Sequence, residues 1–334
     1  MNLRSVCLLS LALLAPAAGA AELLVGNKSG DSVWRLSTED GRKRGEFAVG
    51  PAPHEIAVSS DGALALVSNY GGATPGRTLS VLDLRAGKLL RVIDLGEHGR
   101  PHGLRFLPGD RRAVATTEAS GRLVLVDIAA GKVEDAIALG PGRGHMVALS
   151  ADGRTAYVTK IDAGTLSRVD LEARRKSGER AAGAGAEGVA VHPRSGEVWV
   201  SNREAGTVTV HDPDTLEIRA TIPSPGFPIR VTFTPDGRHA LVTNARAATL
   251  GVIDAAARRS LHAIALAKPG VEYRETLLGR AALPIGVTAD PARPRVYVAI
   301  SGGDEIAVID TTRWTVAERW ASGREPDALG IVAR

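Results

Sequence analysis

Val81-Leu82-Asp83, Leu125-Val126-Asp127, Arg168-Val169-Asp170, Val210-His211-Asp212, Val252-Ile253-Asp254 and Val308-Ile309-Asp310 spell one phrase six times, an apolar strand that stops at an aspartate. The aspartates are 44, 43, 42, 42 and 56 residues apart, and Ser37 fills the same slot 46 residues before Asp83. Seven copies of about 45 residues, each with four short strands, are the signature of a β-propeller. A helical repeat of similar length would space its apolar residues by 3.6. Here they form short runs rich in Val, Ile, Leu and Thr, bounded by Asp-Gly, Pro-Gly and Gly-Lys turns.

The phase of the repeat predicts how the ring closes. Each copy runs from an inner strand after a Pro-rich link to an outer strand. The chain after its leader starts instead on a second strand (23–27) and ends on an inner one (328–332). One blade therefore forms only if the termini pair, which also covers edges that an open sheet would expose. The expected fold is all-β: a seven-bladed β-propeller of four-stranded blades, closed by its terminal strands, with residues 21–334 as one domain.

Residues 1–20 read as a cleaved signal peptide. Arg4 gives a positive start, residues 6–14 are apolar, and Ala18-Gly19-Ala20 offers a cleavage site. The apolar run is too short to span a bilayer, and a periplasmic location is expected, with no transmembrane segment. The only cysteine, Cys7, leaves with this segment, which excludes disulfides, a Cys-based zinc site, an Fe–S cluster and a cysteine nucleophile in the mature protein, and no haem is expected. The chain has 41 Lys+Arg against 37 Asp+Glu and 4% aromatics. So small a surplus of bases, with few rings to stack on, argues against nucleic-acid binding.

Tyr157-Val158-Thr159-Lys160, Leu241-Val242-Thr243-Asn244 and Val200-Ser201-Asn202 each follow an Asp-Gly or Ser-Gly turn. With Pro235-Asp236-Gly237-Arg238 and Pro53-His54-Glu55-Ile56-Ala57-Val58-Ser59, they resemble the YVTN-type β-propeller repeat family. The resemblance covers the whole chain after the leader. It implies an exported bacterial propeller, and one branch of the family is associated with quinone-dependent alcohol catabolism. It implies no single activity. A bound quinone is not expected, because the four tryptophans are scattered rather than repeated as docking motifs.

The aspartates that close the strands read as turn residues accepting backbone N–H bonds, as do Asp61, Asp152 and Asp236. The run Gly140-Pro141-Gly142-Arg143-Gly144 lacks the ending of a phosphate loop and is an outer-to-inner link. Counting back from each Asp-Gly turn to the start of the inner strand is more informative. One equivalent position per blade holds His54, His102 (with one residue of slippage in the Pro108-Gly109-Asp110 turn), His145, Glu187, Ile229, Ile285 and Asp327, and Glu55 and Arg230 follow at the next position. In a propeller these starts share one face around the channel mouth. Three readings stay open for this ring. The histidines could lock neighbouring blades together. The set His54, Glu55, His102, His145, Glu187, Arg230 and Asp327 could hold a small ligand, with Arg230 suited to an anion. Or His54, His102, His145 and Glu187 could take a divalent metal.

Residues 268–283 and 70–77 are enlarged loops predicted on that same face, which favours a working surface. The favoured function is a binding or scaffolding protein, monomeric, engaging a protein partner or small ligand through this His-rich face. The alternative is a metal-dependent, lactonase-like hydrolase or lyase using the same ring. Nucleic-acid binding is the remote third.

Overall fold

The computed structural model describes residues 21–333; the expected signal peptide, with Cys7, lies outside the described residues. Seven four-stranded antiparallel sheets form the ring. Their inner strands are Pro53–Val58, Pro101–Phe106, Gly144–Leu149, Ala186–Val191, Pro228–Phe233, Pro284–Ala289 and Pro326–Val332. The last of these pairs with Glu22–Asn27, joining Leu23 to Ile331 and Val25 to Leu329. The closure expected from the phase of the repeat is therefore present. Two short 3₁₀ turns are the only helical elements among the described residues, and no helix there is long and apolar enough to cross a membrane.

Because each blade is covered by a neighbour on both faces, its middle strands are apolar without alternation. Leu123, Val124, Leu125 and Val126 are all buried. Leu66, Leu79 and Val81 of one blade pack on Leu104, Ala113, Ala115 and Val124 of the next. The strand-end aspartates act as turn formers. Asp83 accepts from the amides of Arg85 and Ala86, and Asp170 and Asp212 repeat the pattern. Asp61, Asp152 and Asp236 cap the Asp-Gly turns in the same way.

The Thr/Ser and Asn of the repeat have separate tasks. The hydroxyl at the end of the second strand reaches across to the next blade. Thr116 donates to His145 O (2.6 Å), Ser201 to Ile229 O (3.0 Å) and Thr243 to Ile285 O (2.8 Å), and Thr159 donates to Glu187 O. Every acceptor is the backbone carbonyl of a ring-position residue, so this contact registers one blade on the next. The neighbouring Asn holds its own blade: Asn69 donates to Thr78 and Ser80, and Asn202 to Thr207 and Thr209. Lys160 replaces that Asn in one blade. Its fully buried ammonium donates to Leu139 O, Pro141 O and Glu179.

Candidate ligand-binding site at the channel mouth

His54, His102, His145, Glu187, Ile229, Ile285 and Asp327 are each the second residue of an inner strand, as the count from the turns predicts. The pairing register shifts at this position in all seven blades, for example between Pro53 and Glu55 and between Pro101 and Leu104. A bulge frees a residue from the ladder and re-aims its side chain. Here it lets seven strand starts present side chains at one opening.

Six of the seven sequence-predicted ligand residues are brought together. His54, His102, His145, Glu187, Arg230 and Asp327 line one cavity of about 190 Å³. Glu55 lies beneath them in the channel, facing a larger cavity of about 620 Å³ that opens on the opposite side. Sequence reasoning missed a second ring. It consists of the residue after the motif Asn (or its substitute) in each blade: Lys28, Tyr70, Glu118, Ile161, Arg203, Ala245 and Ser301. Lys28, Tyr70, Arg203 and Ser301 line the cavity, while Glu118 bonds to two of its walls.

The histidines form a stacked arc. His54 lies on Tyr70 (4.3 Å between ring centres) and meets His102 edge-on (5.1 Å), and His102 packs on His145 (3.8 Å). Nδ1 of His54 is 2.9 Å from Ala52 O, which leaves Nε2 as the acceptor. Burial lowers the pKa of His54 and drives that of His102 well below 6.5, with the His145 charge adding to the effect. His145 behaves differently. Burial opposes its charge, but Glu118, 2.5 Å from Nδ1, and Glu187, 3.5 Å from Nε2, outweigh this and raise its pKa. The phenol of Tyr70 donates to Glu118 Oε2 at 2.6 Å, and burial beside that carboxylate pushes it up to about 12.

Arg230 is the hub below. It pairs with Glu55 at 2.7 Å and Glu187 at 3.4 Å, and stands 4.0 Å from Asp327. Arg203 holds the other Glu187 oxygen at 2.8 Å, and Lys28 sits 2.7 Å from Glu325 and 3.5 Å from Asp327. Glu55, far below solvent and beside Arg105, is nonetheless raised by burial. With three acidic neighbours the charge of Arg230 is already compensated, which disfavours an incoming anion. At the mouth Glu118, Glu187, Glu325 and Asp327 surround Lys28, Arg203 and Arg230, so one negative charge is left for a proton on His145 or for a cation.

The remaining sector is apolar: Ile229, Ile285, Phe227, Ala245 and Leu283 cluster there. The insertion at 268–283 forms a small hairpin of Glu275–Thr276 and Gly279–Arg280. Its tip brings Thr276, Leu277 and Leu278 over the cavity, and Leu278 packs on the apolar sector. The expected overhang is present.

Several polar atoms in these walls are buried without a hydrogen-bond partner: His102 Nδ1, His145 Nε2, Arg203 Nε and Asp327 Oδ1. The blade-to-blade locking read for the histidines falls largely to the Thr and Ser hydroxyls. His145 alone among the three bonds a neighbouring blade through its side chain. Among the described residues, the group whose donor atoms all lie within 4.8 Å of one another is His102, Glu118 and His145. It shares two residues with the metal set expected from sequence.

The closed ring of seven four-stranded blades is a β-propeller, and the comparisons support its likeness to the YVTN-type propellers. The family model described as YNCE-like beta-propeller matches residues 113–273. The chain is 26% identical over 223 residues to the uncharacterized protein YncE of Salmonella typhi, and equally to that of Salmonella typhimurium. The match spans 66% of this chain and 61% of those relatives. Among solved structures, a functionally unknown protein from Desulfotomaculum acetoxidans superposes with TM-score 0.77 at 14% identity, over 93% of this chain and 98% of the other. The dihydro-heme d1 dehydrogenase NirN, in complex with DHE, superposes with TM-score 0.65 at 19% identity, over 90% of this chain and 63% of NirN. Both likenesses are of fold.

Proposed function

We propose that this protein is an exported binding propeller that takes a small, positively charged or strongly polar solute at the His-rich channel mouth. The observation that carries the reading is the set of buried polar atoms of His102, His145, Arg203 and Asp327 around one cavity that make no hydrogen bond, three of them having only a long ionic contact. Such atoms cost roughly 1–3 kcal/mol each when left unsatisfied, and a ligand that pairs with them recovers that free energy. The surplus of carboxylates favours a cation over the anion that Arg230 alone would suggest. A cavity of about 190 Å³ is below the roughly 300–1,000 Å³ of drug-sized ligand and cofactor pockets, so a small solute fits it best. The hairpin at 268–283 would cover the bound solute.

The test is a melting-temperature screen with small amines, carboxylates and divalent cations against the wild type and a His54→Ala/His102→Ala/His145→Ala variant. Cationic solutes should raise the wild-type melting temperature and leave the folded triple variant unmoved. Stabilisation retained by the triple variant, or confined to anions, would overturn the reading. Export is tested separately by the intact mass of secreted material, which should begin at Ala21 or Glu22; a mass retaining residues 1–20 contradicts it.

A further inference from the structure

We infer that His102, Glu118 and His145 form a binding centre for one divalent first-row transition metal, with an open coordination position facing the cavity. This rests on the reading of the channel mouth as a binding site and names the cation it takes. The three residues come from two adjacent blades. His102 and His145 start successive inner strands, and Glu118 follows the second strand of the blade that His102 begins. All three are buried, and one donor atom of each lies within 4.8 Å of the others. A tetrahedral ion with nitrogen ligands at about 2.0–2.1 Å holds its donors about 3.3 Å apart, so the three side chains would close on it by rotamer adjustment.

Two observations besides proximity point to an ion. His102 Nδ1 is buried without a hydrogen-bond partner, and His145 Nε2 has only the long 3.5 Å approach of Glu187; buried imidazole nitrogens ordinarily bond something. Glu118 is also held from behind: the Tyr70 hydroxyl fixes its second oxygen at 2.6 Å, and His54 stacks on Tyr70 in turn. Metal-binding carboxylates are commonly oriented by such outer partners. Two imidazoles and one carboxylate suit Zn²⁺, Co²⁺ or Ni²⁺ rather than Ca²⁺ or Mg²⁺, which prefer all-oxygen shells. Three protein ligands leave a fourth position free, as in zinc sites that bind an exchangeable group. The roughly 190 Å³ cavity provides room for that group under the hairpin.

The experiment uses the mature chain without an affinity tag, stripped with EDTA and dialysed. It is titrated with ZnCl₂ by calorimetry and with CoCl₂ by visible absorption. The expected result is one ion per chain and the absorption of four-coordinate Co²⁺. Glu118→Gln, close in shape to the native residue, and His102→Ala should each weaken binding by roughly 100-fold or more, and Tyr70→Phe by about 10-fold as an outer-shell change. His262→Ala, a surface histidine away from the mouth, should bind as the wild type does. An absence of saturable binding, or binding unchanged in folded Glu118→Gln, overturns the inference. If amines stabilise the protein through the mouth while metals do not, the metal centre fails and the solute-binding reading stands. If neither acts at the mouth, both fail.

Discussion

Replacing Arg230 with Met tests the electrostatic frame under the channel mouth. Methionine keeps much of the side-chain length but removes the cation facing Glu55, Glu187 and Asp327. At an effective dielectric of about 20 the Glu55 contact alone represents about 6 kcal/mol of gross attraction. Much of that offsets the cost of burying the guanidinium. The loss that remains is the price of leaving buried carboxylates without their cation, about 3–5 kcal/mol. For a chain of this size, that is a fall in melting temperature of roughly 6 °C or more. The pH dependence identifies the cause. Burial already raises Glu55 above its ordinary 4.5, and Arg230 contributes to holding Glu187 below it. Without Arg230 the carboxylates shift upward. A carboxylate whose folded pKa exceeds the unfolded value destabilises at higher pH, and its penalty fades as the pH falls toward the unfolded value. Melting curves of wild type and Arg230→Met at pH 7 and pH 5 should therefore differ most at pH 7 and converge at pH 5. Equal gaps at both pH values, or a gap near zero throughout, would refute the reasoning.

Deleting residues 329–334 unpairs Leu23–Val25 from Leu329–Ile331 and should cause a sharp fall in melting temperature or aggregation. A truncated chain that melts like the intact one contradicts terminal closure. Thr243→Val removes the donor to Ile285 O and should cost about 1–2 kcal/mol in urea unfolding, since it breaks a blade-to-blade lock; no loss would mean the hydroxyl ladder is incidental. Glu179 is drawn down to about 2 by Lys160 and Lys176 against an opposing burial effect. Its contribution should be complete above about pH 4.5 and fade as the pH falls through about 2, amounting to about 1–2 kcal/mol after solvent screening. Glu179→Gln should flatten wild-type stability over that window, and an unchanged profile would count against the pair. Replacing residues 270–280 with a short Gly-Ser link should leave the ring folded and weaken solute binding at the mouth, whereas unchanged affinity would remove any covering role for the hairpin.

The ring and its closure were legible because they rest on local chemistry that recurs from blade to blade, most fully in the six strand-end aspartates. Asp-Gly turns, strand-end aspartates and a Thr/Ser-Asn pair recur at near-constant spacing, and the termini are out of phase. The ring position was legible for the same reason, since it lies a near-constant count before each turn, with one residue of slippage at His102. Glu118 was not found, although the residue after each motif Asn was available as a register of its own. Counting only inner-strand starts left out the strand ends that share the mouth. The bulge at each strand start depends on strand pairing, which one strand's sequence does not reveal. Arg230 suggested an anion site when read alone. Its three carboxylate neighbours come from blades distant in sequence, and only the closed ring brings them to it.

The most direct measurement of the central claim is a ¹H–¹⁵N spectrum of the eight imidazoles in protein labelled with ¹⁵N-histidine, recorded before and after one equivalent of Zn²⁺. The account predicts that His102 and His145 change, with one nitrogen of each taking the shift of a metal-bound imidazole, while His192, His211, His239 and His262 stay where they were. Changes confined to those four, or a spectrum in which no mouth histidine moves, would contradict it.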